Sequence, residues 1–153
     1  QAKQKLKSYY GNMNERQFRN VYKKAIKKKG DTAENLIGLL ERRLDAIVYR
    51  AKLATTIFSA RQLINHGHVK VNGKRVNISS FYLNENDEVE IKDSSKQLNM
   101  ILSASSSKER EVPDYLVSDQ KKLTAKLSRI PKFEEIPYPA IMEPNLVVEY
   151  YSR

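Results

Sequence analysis

The sequence has no cysteine, so neither a disulfide nor a thiolate zinc site can form within these residues. Its five glycines leave little room for a glycine-rich phosphate loop, and no such motif occurs. No apolar run approaches the ~18 residues of a membrane span, and no basic, apolar and small-residue succession marks a secretory signal at the start. Tryptophan is also absent. The apolar stripe of the most basic helical segment is no wider than packing on a domain requires, which argues against a membrane-surface role. The two histidines, His66 and His68, are spaced i, i+2 with no cysteine or acid beside them, a poor pattern for a metal and for general acid–base work. Asp87, Glu88 and Glu90 fit a turn and the outward face of a strand, and Glu134 and Glu135 fall in a proline-rich stretch. No catalytic residue, metal or cofactor is expected.

What the chain has instead is positive charge, unevenly spread. Its formal net charge is +10 and its pI is near 9.7. Residues 1–30 hold ten Lys or Arg against one acid, residues 31–78 eight against four, and residues 79–153 ten against thirteen. Solubility alone does not need that asymmetry, whereas a polyanionic partner such as nucleic acid does. The C-terminal half, leaning acidic, is left to face protein neighbours.

Asn14 followed by Gln17 reads as a capping box. The helix it opens carries Phe18, Val21, Tyr22, Ala25 and Ile26 as an apolar stripe, with Arg16, Arg19, Lys23 and Lys27 opposite and Gly30 as its end. Ahead of it, Lys3, Lys5, Lys7, Tyr9 and Tyr10 form a basic and aromatic lead-in that fits a first helix ending at Gly11. Asp31 as N-cap, Glu34, and Leu36, Ile37, Leu40, Leu44, Ile47 and Val48 predict one further helix, with Arg42, Arg43 and Arg50 off its apolar face.

Thr56 caps a short helix that stops before Gly67. Two strands then alternate, Val69 with Val71 and Val76 with Ile78, around Asn72-Gly73, a pair suited to a turn with positive φ. A further strand at Glu88–Lys92 follows the Asn84–Asp87 turn. Residues 95–102 have helical character, and Ser103–Ser107 reads as a loop or frayed end. All five prolines lie from Pro113 onward, predicting irregular structure with short extended pieces that finishes in the apolar run Leu146–Tyr151. The sum is an α+β chain, helices first and then a small antiparallel sheet.

The runs ERRLDAIVYR at 41–50 and ARQLINHGHVKVNGKRVNIS at 60–79 resemble the small-subunit ribosomal protein S-four family, bacterial or organellar in style with an alphaproteobacterial flavour. YYG at 9–11, ERQFRNVYKKA at 15–25, GDTAENLIGLLERRLD at 30–45, VPDYL at 112–116 and LVVEYYSR at 146–153 extend the likeness over essentially the whole chain. The resemblance implies a helical domain, residues 1–42 with 143–153, and an inserted α+β domain, residues 43–142. The family's RNA-binding module would occupy about 43–93 of the latter.

The resemblance also implies direct binding to small-subunit ribosomal RNA at a multi-helix junction of the 5′ domain, nucleation of subunit assembly, and a part in translational accuracy. Expected partners are that RNA, neighbouring ribosomal proteins including S-five, and in some members the protein's own operon messenger. The expected location is the cytoplasmic ribosome, or the mitochondrial matrix for an organellar member. No membrane partner is expected, and the protein outside the ribosome is expected to be a monomer. The module's RNA-facing positions fall on Arg43, Arg61, Gln62, His66, Lys70, Asn72, Lys74 and Arg75. The expected RNA surface adds Lys3, Lys5, Lys7, Tyr9, Tyr10, Arg16, Arg19, Lys23, Lys24, Lys27, Lys28, Arg42 and Arg50.

Two points set this chain apart. Where many members carry arginines before the ARQ sequence, it has Ile57-Phe58, so this corner is expected to meet RNA weakly or hydrophobically. The family has a basic N-terminal segment ahead of position 1, in some members with a four-cysteine zinc site, and the opening Gln suggests that such a segment precedes this sequence. Recognition would be selective for shape, through phosphates and 2′-hydroxyls. Other classes considered are an RNA-modifying or tRNA-charging enzyme bearing the same module, and a free-standing messenger-binding repressor.

Overall fold

Local sequence rules set the helices of the first unit. The computed structural model describes all 153 residues, Gln1–Arg153, which pack as two compact units: Gln1–Glu41 with Pro131–Arg153, and Arg42–Ile130. The C-terminal return of the first unit thus begins at Pro131 rather than at 143. α1 spans Ala2–Tyr9, and the chain leaves it through Gly11 at φ +80°. α2 spans Glu15–Lys27 and opens with the full capping box. Asn14 Oδ1 accepts from the Gln17 amide at 2.8 Å, and Gln17 Oε1 accepts from the Asn14 amide at 3.2 Å.

The other end of α2 is closed by a side chain from α3 (Thr32–Arg42). The Asn35 amide donates to the carbonyls of Ala25, Lys28 and Lys29 at 3.2–3.3 Å, tying down the C-terminal end of α2 and the residues just beyond it. Phe18, Val21, Tyr22 and Ala25 are buried, together with Leu36, Ile37 and Leu40 of α3. Each such side chain contributes about 1.5–3 kcal/mol of transfer free energy when large and fully buried. Ile26, expected on the same stripe, is instead 49% exposed near the end of the helix.

The second unit begins with a break that the apolar spacing conceals. The helix expected to run through residue 50 stops at Arg42, and α4 (Leu44–Arg50) starts anew. Between them Arg43 is extended, at φ −60° and ψ 142°, and bridges to Tyr82. The strap 79–83 takes the backbone groups a continuous helix would use. Leu44 N–H donates to Phe81 O (2.7 Å), Asp45 N–H to Ser79 O (3.1 Å), and Leu83 N–H to Arg42 O (2.9 Å). These partners lie far along the chain, so nothing local announces the break.

α5 (Ile57–Asn65) is capped as expected, with Thr56 Oγ1 accepting from the Ser59 amide at 2.9 Å. A five-stranded antiparallel sheet follows: β1 (Val69–Val71), β2 (Lys74–Arg75), β3 (Glu88–Ile91), β4 (Leu116–Asp119) and β5 (Thr124–Leu127). Its spatial order is β2-β1-β3-β5-β4. Val69 and Val71 of β1, Val89 and Ile91 of β3, and Ala125 and Leu127 of β5 turn inward onto α4, α5 and Tyr115.

Asn72 at φ +50° and Gly73 at φ +81° make the turn with two positive φ angles that suits a two-residue hairpin. The second hairpin strand is shorter than its alternation suggests, because the chain leaves at Val76 to become the strap, and Ile78 is 59% exposed. α6 (Asn99–Ser106) takes in most of the serine run read as a loop or frayed end. The proline-bearing region holds β4, β5 and, in the first unit, α7 (Pro144–Tyr151) with proline at its first position.

Candidate nucleic-acid interface

In the first unit, α2 displays its cations on one side. Arg16, Arg19, Lys23, Lys24, Lys27 and Lys28 are all exposed, and so is Lys29, which the expected surface omitted although it continues the same run. Lysines in the last turn also complement the negative end of the helix dipole. Lys5 of α1 is exposed as well.

The other two lysines of the lead-in are held by one carboxylate. Glu15 lies 2.8 Å from Lys3 Nζ, 3.1 Å from Lys7 Nζ and 3.6 Å from an Arg19 nitrogen, and it accepts from the Tyr151 hydroxyl at 2.8 Å. The Lys3 hydrogen bond, aided by those of Tyr151 and Lys7, outweighs desolvation and lowers the Glu15 carboxyl from its ordinary 4.5 to about 2. Lys3 is raised in return, chiefly by Glu15, and its ammonium also sits 4.3 Å from the centre of the Tyr150 ring. Burial, reinforced by Glu15, raises the Tyr151 phenol above its usual value.

Lys7 is 9% exposed and Tyr10 1% exposed. The Tyr10 hydroxyl donates to buried Glu41 and shares a 2.6 Å hydrogen bond with Tyr138. Tyr9 is half-buried, edge-on to Tyr10 and Tyr138 at 5.1 Å each. Lys7 and Tyr10 are therefore interior groups. Glu15, Glu41 and Tyr138, which hold this part together, carry no sequence signal of that role.

In the second unit, the arginines placed off the apolar face are not displayed on its surface. Arg43 and Arg50 are 6% and 3% exposed. Arg43 forks onto Asp45 with both bonds at 3.1 Å, and half-buried Arg42 donates to Leu83 O at 2.7 Å and to Asn84 Oδ1 at 2.9 Å. Asp45, itself 1% exposed, also accepts from Arg61 Nε at 2.9 Å, so one buried carboxylate holds two guanidiniums. Strap residues 79–83 cover this side of the unit.

What remains outward lies on α5 and the hairpin. Gln62, His66, Asn72, Lys74 and Arg75 are exposed, while Arg61 and Lys70 are half-buried. Lys70 sits across the ladder from both Arg75 and Glu90. The Arg75 side chain lies over Gly67, where a Cβ would stand 3.3 Å from one of its guanidinium nitrogens. Asn72 is engaged by its own fold, donating to Asp87 at 2.9 Å and accepting from the Glu88 amide at 2.9 Å.

His66 ends α5. His68 makes a 2.6 Å hydrogen bond with Ser95 Oγ, and burial, helped by Lys92 and His66, lowers its pKa below the ordinary imidazole value. Of Ile57 and Phe58, which with Ser59 precede the ARQ sequence, Ile57 packs inward at 6% exposure while Phe58 points out at 54%.

Each unit therefore carries its own set of exposed cations with hydrogen-bonding amides beside them, a chemistry suited to phosphate backbones. No helix is long and apolar enough to cross a membrane. Residues 1–41 match the family described as "Ribosomal protein S4/S9 N-terminal domain" and residues 42–89 match the "S4 domain", so the two meet at the same point as the two packing units. A small ribosomal subunit protein uS4 from Pelagibacter ubique is 68% identical over 153 residues, covering 100% of this chain and 75% of that protein. The uS4 proteins of Bradyrhizobium diazoefficiens and Beijerinckia indica are 62% and 60% identical over 152 residues, 99% of this chain and 74% of each. With part of each packing unit matched in order and relatives this similar over the full length of the sequence, the chain belongs to the S-four family of small-subunit ribosomal proteins.

Proposed function

We propose that this chain is a structural, non-catalytic protein of the small ribosomal subunit that binds ribosomal RNA at a multi-helix junction of the 5′ domain. The observation that carries this reading is the display of seven exposed Lys and Arg on and just beyond α2, from Arg16 to Lys29. A second cationic edge on α5 and the β1–β2 hairpin supports it. Lys and Arg release counterions from phosphates and so supply affinity, while the capped helix and the tight hairpin fix where those charges stand. Selectivity follows from matching rigid surfaces to one folded RNA, which the protein stabilises by mass action.

On this reading the RNA contacts are made by Lys5, Arg16, Arg19, Lys23, Lys24, Lys27, Lys28, Lys29, Gln62, His66, Lys70, Lys74 and Arg75. Lys3, Lys7, Tyr10, Arg42, Arg43, Arg61 and Asn72 frame those contacts through the bonds described above, Tyr9 through its ring contacts, and Arg50 lies buried. The protein works on the ribosome, where early binding nucleates assembly. Its acidic-leaning C-terminal half is proposed to face protein neighbours, S-five among them, and so to bear on decoding accuracy. The ribosomal N-terminal domain model directly ahead of the module supports this over an enzyme that borrows the same module.

Chemical footprinting on small-subunit ribosomal RNA tests the reading. Protection centred on one junction of the 5′ domain is expected, and protection spread without preference would overturn it. Stronger binding to the operon leader than to ribosomal RNA would favour the repressor reading instead.

A further inference from the structure

Phe58 stands at the second position of α5 and is 54% exposed, while Ile57 and Ala60 beside it face the core at 6% and 0%. Single apolar side chains are common on surfaces and need no explanation. Here, three neighbouring features give this one a ligand. First, the Arg61 guanidinium carbon lies 5.9 Å from the ring centre, and Arg61 is tethered through Nε to buried Asp45, so the cation beside the ring is held in place. Second, α5 (IFSARQLIN) contains no carboxylate, and the acid beneath it, Asp45, is 1% exposed between two arginines. The local surface is electropositive. Third, Gln62 follows Phe58 by four residues, which puts it on the same side of the helix, and it is exposed.

An aromatic face, a fixed cation and an amide able both to donate and to accept fit a nucleobase: its π face stacks and its edge pairs with an amide. They do not form a phosphate clamp, and one ring bordered by polar groups offers too little apolar area for a protein interface. Given the RNA-binding reading above, on which this inference rests, we propose that Phe58, flanked by Arg61 and followed by Gln62, is a stacking platform for one unpaired nucleobase of the bound RNA.

The absence of tryptophan supplies a direct probe, because Phe58→Trp places the sole indole of the chain on the platform. The variant is titrated with a transcript of the 5′ domain of small-subunit ribosomal RNA. Its emission is expected to be quenched as a base stacks on it, with affinity within about twofold of the wild type. Phe58→Leu keeps an apolar side chain without a π face, and it is expected to bind about tenfold more weakly at both low and high salt with an unchanged salt slope. Thermal melts of both variants check that the fold is intact.

Wild-type affinity in Phe58→Leu, or an indole that RNA does not quench, would overturn the platform. So would an indole that responds only to a neighbouring ribosomal protein. Lys74→Ala separates the two levels of the argument. A wild-type chain that does not bind the transcript refutes the RNA reading and the platform with it. A wild type that binds with a slope Lys74→Ala reduces, beside an undiminished Phe58→Leu, refutes the platform alone.

Discussion

Two carboxylates hold four of the cations that do not face outward, Lys3 and Lys7 on Glu15 and Arg43 and Arg61 on Asp45. Asp45 is buried between Arg43 and Arg61, so its removal leaves an arginine charge without its partner in the interior. Asp45→Ala is expected to destabilise the second unit by about 3–5 kcal/mol, measured by urea unfolding. Glu15 acts at the surface, with its side chain 36% exposed, so solvent screens its pairs and its effect is smaller. Its carboxyl is held at about 2 in the folded chain, below the ordinary 4.5. The stability it contributes is therefore complete above pH 4.5 and disappears as the pH falls from 4.5 to about 2. Melting temperatures across that window should fall less steeply for Glu15→Gln than for the wild type.

The elements divide into those closed by near neighbours and those closed by distant ones. The capping box of α2 was legible because Asn14 and Gln17 stand three residues apart, and Asn14→Ala is expected to cost about 1 kcal/mol in chemical denaturation. The hairpin turn was equally legible, since Asn-Gly tolerates two positive φ angles. Gly67 and Gly73 both sit near φ +80°, but a Cβ at Gly73 meets nothing within 4 Å while one at Gly67 meets Arg75 at 3.3 Å. Gly73→Ala should cost about 1 kcal/mol through backbone strain alone. Gly67→Ala should cost more and also weaken RNA binding by shifting Arg75, a pairing that denaturation and RNA titration together check. The break at Arg43 was not legible, because the groups that cause it belong to residues 79–83. β4 and β5 were legible only as short extended pieces, for a related reason. They are short, flanked by prolines, and made into strands by pairing with β3 and with each other.

At the scale of the whole molecule, the charge lies on two separately folded surfaces, so salt dependence is the natural measure of each. Lys23→Ala with Lys27→Ala is expected to lower the magnitude of the salt slope for ribosomal RNA binding by roughly 1.4–1.8. Lys74→Ala alone should lower it by roughly 0.7–0.9, and the effects should add because the sites are in different units. Slopes that do not change on either substitution would remove that surface from the interface.

The sequence by itself determined the class of ligand, the family and the elements closed by near neighbours. Net charge, its concentration in the first 78 residues, caps, turns and helical stripes are all properties of residues near one another in the chain. Only the tertiary structure decided which cations reach solvent. Arg43, Arg50 and Lys7 look as basic in one dimension as Lys23 or Lys74, yet a buried charge must find a counter-charge or hydrogen-bond partners. Asp45 and Glu15 take up Arg43 and Lys7 at short range, and the strap 79–83 covers the side where Arg43 emerges. Composition likewise could not separate Ile57 from Phe58, two adjacent apolar residues of which the helix buries one and presents the other. That choice depends on where the core lies, which no local pattern records.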